Sequence, residues 1–129
     1  MSKEIYLGNP NLKKANTQSE FTKERIEELK RCMDNPVYFI ENYIKIVTLD
    51  KGLVPFRMWQ FQKEMVSTFH QDRFTICKLP RQSGKSTTIV SYLLHYVIFN
   101  DNVNVAILAN KSSTARDILG RLQLAYENL

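Results

Sequence analysis

The residues with the most chemistry in them are consecutive: Leu79-Pro80-Arg81-Gln82-Ser83-Gly84-Lys85-Ser86. A phosphate-binding loop calls for Gly, any four residues, then Gly-Lys and Ser or Thr. Gly84, Lys85 and Ser86 supply the second half, while Leu79 stands where the first Gly would be. The order of types has a physical reason. The tail of a nucleoside triphosphate carries several negative charges and must be held by donors. The backbone N–H groups of Ser83, Gly84, Lys85 and Ser86 can curl into an anion-binding nest. Gly84 tolerates positive φ and lets the backbone come close, Lys85 brings an ammonium to the β and γ phosphates, and Ser86 offers a hydroxyl to Mg²⁺. Between Asp72 and Asp117 the only acidic residue is Asp101, so Lys78, Arg81 and Lys85 have no carboxylate close to them in sequence. The other reading of the same residues is a surface turn with a solvated lysine.

Such a loop needs a strand before it and a helix after it. Arg73–Leu79 alternates, with Phe74, Ile76 and Leu79 apolar, and reads as a strand. Ser86–Phe99 reads as a strongly apolar helix. Asn100-Asp101-Asn102 marks a turn, and Val103–Ala109 reads as a second strand whose near-continuous apolar character suits burial on both faces. Ser112 or Ser113 caps a last helix running towards Leu129. Upstream, Phe21–Met33 reads as a helix capped by Thr22, with Ile26, Leu29, Cys32 and Met33 as its apolar stripe. Asn35-Pro36 restarts a helix through VYFIENYIKIV that buries Phe39, Ile40, Tyr43 and Ile44 or a subset of them. A loop around Asp50-Lys51-Gly52 follows. Residues 57–70 form a third helix, with Met58, Phe61, Met65 and Phe69 on one face. Residues 1–20 read as a polar arm with a turn at Gly8-Asn9-Pro10.

Helices followed by strand–turn–helix–strand–helix predict an α/β fold, the opening of a parallel sheet behind an all-helical region. The expected division is 1–56 for the arm and helices and 57–129 for the first part of the nucleotide-binding unit. Two strands cannot make a stable sheet of this kind. The chain is therefore expected to be the leading part of a larger domain, or to need a partner to complete its core.

Composition sets outer limits. The chain has 129 residues, is 43% hydrophobic and 24% charged, and carries a formal net charge of +5, which excludes wholesale disorder and a collagen-like chain and permits polyanionic partners. Cys32 and Cys77 form no metal-spaced pair and read as reduced cytoplasmic thiols. No stretch is apolar enough for a membrane span, and the N-terminus lacks a secretory apolar core. His70 and His95 have no ligand spacing and read as structural. Trp59, with Tyr38, Phe39 and Tyr43, reads as helix packing. Asn110-Lys111-Ser112-Ser113 reads equally as a DNA or nucleotide-state contact and as a helix cap beside a solvated lysine.

The run Pro80-Arg81-Gln82-Ser83-Gly84-Lys85-Ser86 resembles the deviant nucleotide loop of phage large terminase subunits: Ser or Pro, Arg-Gln, any residue, Gly-Lys, then Ser or Thr. LGNPNLKKAN (Leu7–Asn16), NPVYFIENY (Asn35–Tyr43), FQKEM (Phe61–Met65), HYVIFN (His95–Asn100) and VAILANKSSTARDILGRL (Val105–Leu122) are similar, in order, to stretches of large terminases from T-even-type bacteriophages. The resemblance implies the start of a RecA-like P-loop ATPase of a DNA-packaging motor. That motor would use ATP and Mg²⁺ and work on double-stranded DNA with a portal protein and a small terminase subunit, in the cytoplasm of an infected bacterium. It implies a cradle of Pro80, Arg81, Gln82, Ser83, Gly84, Lys85, Ser86 and Thr87. Within it Lys85 is the phosphate contact, Ser86 the Mg²⁺ contact and Arg81 the arginine that senses the γ phosphate. Gln62 would read adenine, with a donor and an acceptor on one amide, although Arg57 stands where the family has a second glutamine. The Asp-Glu pair that hydrolysis requires is absent, as is the nuclease's acidic cluster, so the chain is expected to bind nucleotide without turning it over alone. Two alternatives stay open: a nucleotide-binding module of a split gene, and the start of a superfamily 1 or 2 helicase-like ATPase.

Overall fold

The computed structural model describes residues 5–6, 9–13, 15–16 and 21–129. Among them are five helices and four short strands, in the order β1 (Ile5–Tyr6), β2 (Asn9–Lys13), α1 (Lys23–Asp34), α2 (Pro36–Tyr43), β3 (Lys45–Thr48), β4 (Gly52–Pro55), α3 (Gln60–Gln71), α4 (Lys85–Phe99) and α5 (Ser112–Glu127). The strands pair only locally and antiparallel, β1 with β2 and β3 with β4. The polar arm falls largely outside the described residues, Gly8 included, while Asn9 and Pro10 lie in β2.

The expectation of an α/β parallel sheet is overturned. Residues 75–80 and 103–109 run without a ladder partner among the described residues, and the molecule is a small mixed helical domain. The reason is visible in the side chains. Phe74 is 83% exposed, Ile76 98% and Leu108 88%, so the apolar positions that would sit inside a sheet face solvent. Local alternation set an extended backbone; pairing is a long-range event that alternation alone does not supply. The all-helical N-terminal region is corrected too. The second helix stops at Tyr43, and the β-branched run Ile44–Thr48 turns back as a hairpin with register Ile46↔Val54 and Val47↔Leu53. Gly52 takes φ +65° at the end of its turn, a conformation suited to glycine.

The cap signals hold at α1 and α2 but not at α5, which begins at Ser112 with Lys111 as its N-cap and no side-chain cap bond, so neither Ser112 nor Ser113 caps it. Thr22 accepts from the Arg25 amide, and Asn35 accepts from Tyr38 with Pro36 at the first helical position. The α1 stripe is only partly buried: Cys32 enters the core, whereas Ile26, Leu29 and Met33 stay exposed. In α2, Phe39 and Ile40 are buried and Ile44 follows them inside, while Tyr43 stays at the surface. There it and Tyr38 each donate to Glu28 Oε1, at 2.7 and 2.8 Å, tying α1 to α2. These hydroxyls, Tyr43 first, hold the Glu28 carboxyl below its ordinary value.

Helix α4 packs against α2, α3 and α5. Its buried face mixes Val90 and Leu94 with Thr88, Ser91 and His95. Thr88 and Ser91 donate their hydroxyls to carbonyls one turn back, at 3.0 and 2.8 Å, so neither leaves an open hydrogen bond. His95 lies 2.8 Å through Nε2 from the Cys32 carbonyl. A carbonyl only accepts, so that nitrogen carries the proton and Nδ1 is a buried lone pair, without a partner among the described residues. Phe39, His70, Tyr92 and Phe99 surround the ring.

Burial of His95, reinforced by His70, lowers its pKa below 6.5. The unfolded chain therefore takes up the proton first as pH falls. Stability is flat above about 6.5 on this account and declines as pH drops through that value towards the depressed folded pKa. Thermal melts from pH 8 to pH 5 should show that decline in the native chain and a much flatter profile in His95→Phe. The Glu28 contribution is lost at lower pH, as the pH falls through its ordinary 4.5 towards its depressed folded value.

Candidate functional site

The bend between residue 79 and α4 is built from two left-handed residues, Gln82 at φ +60° and Gly84 at φ +73°. A glycine meets this requirement without strain; Gln82 meets it at a cost of about 1–2 kcal/mol. Ser83 Oγ donates to the Pro80 carbonyl at 3.0 Å and closes the turn from inside. Lys85 then reaches back across it, donating Nζ to the carbonyls of Leu79 at 3.0 Å and Pro80 at 2.7 Å. Two of the three ammonium protons are thus spent on the loop, which fixes the charge over the bend and leaves one donor.

Helix α4 starts at Lys85 with no side-chain cap and no acidic residue in its first turn. Its first closing bond runs from the Thr88 amide to the Gly84 carbonyl, so the amides of Lys85, Ser86 and Thr87 have no intrahelical acceptor. Fifteen residues of aligned peptide dipoles end at this point with no acidic side chain in the first turn to offset them. The bend is accordingly a concentration of donors: three open amides, one ammonium and the exposed Arg81 and Ser86.

A cavity of about 270 Å³ adjoins the bend, lined by Ile46, Phe56, Arg57, Trp59, Gln62, Gln82, Ser83, Gly84 and Thr87. It brings together five of the residues expected at a nucleotide site, Gln62, Gln82, Ser83, Gly84 and Thr87. Pro80, Arg81, Lys85 and Ser86 belong to the bend but do not line the cavity. The wall facing the loop was not legible as such. Ile46 belongs to a hairpin that reads as helix, and Trp59, expected in the packing, is 69% exposed and stands edge-on to Phe61 with ring centroids 5.8 Å apart. The available signal was the spacing Trp59-x-x-Gln62, a helix start with an amide at its third position.

Gln62 is not the surface glutamine of a helix. It is buried at 6% exposure, and its amide is engaged at both ends. Oε1 accepts from the Trp59 amide at 2.9 Å, which caps the first turn of α3. Nε2 donates to the Ser83 carbonyl at 3.3 Å, joining α3 to the bend. Elsewhere α3 is held by Lys63 and Glu41 at 2.9 Å and by the Tyr92 hydroxyl on the Phe69 carbonyl at 3.0 Å.

Among the described residues no group of three or more His, Cys, Asp or Glu could hold a metal ion. A Mg²⁺ here would take Ser86 as its one protein ligand, with phosphate oxygens and water completing the shell, which accords with that ion's reluctance to shed water. No protein-family model matches the chain.

Glycine at 84 is required twice. Its φ lies in the left-handed region, and a Cβ there would fall 2.5 Å from Gln62 Nε2. Gly84→Ala should destabilise the chain by about 1–2 kcal/mol from φ alone, and by more from the contact. In a urea-unfolding double-mutant cycle, part of that cost should vanish in the Gln62→Ala background; strict additivity would show that the contact carries no energy.

Proposed function

We propose that the bend at residues 80–87 holds the triphosphate tail of a nucleotide, ATP with Mg²⁺. The observation that carries this reading is the coincidence of three features at one point: a left-handed turn, the uncapped and acid-free start of a 15-residue helix, and a lysine pinned over the turn by its own backbone. Open amides at a helix start favour anions. In this reading Lys85 neutralises the β and γ phosphates, Ser86 contacts Mg²⁺, and the amides from Gly84 to Thr87 form the cradle. Arg81, exposed at the edge of the bend, meets the γ phosphate.

The wider role rests on the resemblance in the loop and the five flanking stretches. We propose that the chain belongs to a phage DNA-packaging ATPase of the large-terminase kind. Its partners would be double-stranded DNA, a portal protein, a small terminase subunit and the remainder of the ATPase, inside an infected bacterium. The phosphate site stands on the bend and its geometry, and the wider role on the resemblance alone. Among the described residues no helix is long and apolar enough to cross a membrane. No hydrophobic run in the sequence ends in Asp-Glu, which favours binding without turnover by this chain.

Isothermal titration of the chain with Mg-ATP and with inorganic tripolyphosphate tests the reading. Saturable binding of both is expected. Lys85→Ala should weaken both at least tenfold while leaving the melting temperature within a few degrees. Unchanged affinity in Lys85→Ala, or no binding of either ligand to the native chain, would reject the phosphate site. Phosphate release from Mg-ATP by the chain alone should stay at the background rate.

A further inference from the structure

The geometry points to Gln62 as the positioning residue of the phosphate bend rather than a reader of the nucleotide base. The inference rests on the proposed phosphate site and says how that site is kept in shape. A base reader needs an amide with a free donor and a free acceptor on the cavity side. Gln62 spends one lone pair of Oε1 on the Trp59 amide at 2.9 Å and one of its two Nε2 protons on the Ser83 carbonyl at 3.3 Å, and at 6% exposure its second donor and second acceptor have little access to a ligand. Turning either bond towards a base would uncap α3 or release the bend, giving up a part-buried hydrogen bond worth about 0.5–1.5 kcal/mol.

The engaged amide lies where the bend is hardest to hold. Ser83 sits between the left-handed residues Gln82 and Gly84, and its carbonyl is the one that Gln62 grips. The absent Cβ of Gly84 is the space that Gln62 Nε2 fills. From the other side Lys85 holds the carbonyls of Leu79 and Pro80. The bend is clamped between an amide from α3 and an ammonium from α4. The α3 clamp is fixed in turn, because Lys63 pairs with Glu41 of α2 one residue further on. A preformed cradle loses less conformational freedom on binding, so Gln62 should set the affinity for the phosphate chain whatever base is attached.

Gln62→Met removes both amide bonds and keeps the side chain's length. Two measurements follow: affinity for inorganic tripolyphosphate and for Mg-ATP, and backbone ¹⁵N order parameters of residues 82–85 without ligand. Both affinities should fall by the same factor, about fivefold, which is what one net hydrogen bond is worth. The order parameters should drop from rigid values near 0.85 towards about 0.6. Gln62→Glu separates the two bonds: it still accepts from the Trp59 amide, so α3 stays capped, but it sets a buried carboxylate against the Ser83 carbonyl, which should lower the melting temperature and loosen the bend as Met does. Weakened ATP with unchanged tripolyphosphate would make Gln62 a base reader and overturn the inference. Unchanged order parameters in both variants would overturn it as well. If the native chain binds neither ligand, the proposed function fails, and the ligand-free order parameters alone decide whether Gln62 holds the bend.

Discussion

The ammonium of Lys85 bonds to the backbone of its own loop, and the arrangement of the candidate site follows from that closure. With Nζ on the carbonyls of Leu79 and Pro80, the ends of the bend are drawn together and these two acceptors are taken. Ser83 Oγ on Pro80 and Gln62 Nε2 on Ser83 remove two more sources of local competition. What is left facing outward is mostly donor. Open amides of the first turn of α4, the remaining ammonium proton and the guanidinium of Arg81 set the sign of any ligand without reference to the net charge of the chain. An anion is the species that lowers the free energy of such a surface, and a chain of linked phosphates meets more of its donors at once than a single ion does.

That surface is useful only if α4 keeps its direction, and the core of the molecule is organised around doing so. Three polar residues sit on the buried side of this helix, where an unpaired group would be costly. Thr88 and Ser91 bond within the helix itself, while His95 reaches the Cys32 carbonyl at the end of α1. The last bond gives the helix a fixed rotational setting against α1 that apolar packing alone would leave softer. Helix α3 is tied to the same helix through Tyr92 and to α2 through Lys63, so the Trp59–Gln62 corner and the bend belong to one braced unit. The phosphate reading needs this rigidity, since the nest works by preorganisation and not by reach.

Much of this was legible in residue types and spacing, because much of it is local. Thr22, the Asn35-Pro36 pair, the apolar run after Ser86 and the last helix all declare themselves within a turn or two of chain. The bend was legible for the same reason: Gly84-Lys85-Ser86 after an extended segment is a local statement. The failures are non-local. Residues 73–79 and 103–109 have strand composition, yet whether an extended segment becomes a strand depends on a neighbour that no window of sequence contains. The β3–β4 hairpin is not legible where apolar residues run on from α2, and there the β-branched residues after Tyr43 outweigh the helical phase. The bond from Gln62 to the bend is not legible in its own helix, because its partner Ser83 lies 21 residues away.

In the proposed reading the start of α4 and the bend before it form one preorganised anion site. Titration of ¹⁵N-labelled chain with inorganic tripolyphosphate, followed amide by amide, tests it most directly. The account predicts saturating shifts concentrated at Ser83 to Thr87, moving together with a single dissociation constant. Shifts scattered over the lysine and arginine surface, weak and without saturation, while the amides of the bend stay still, would contradict it.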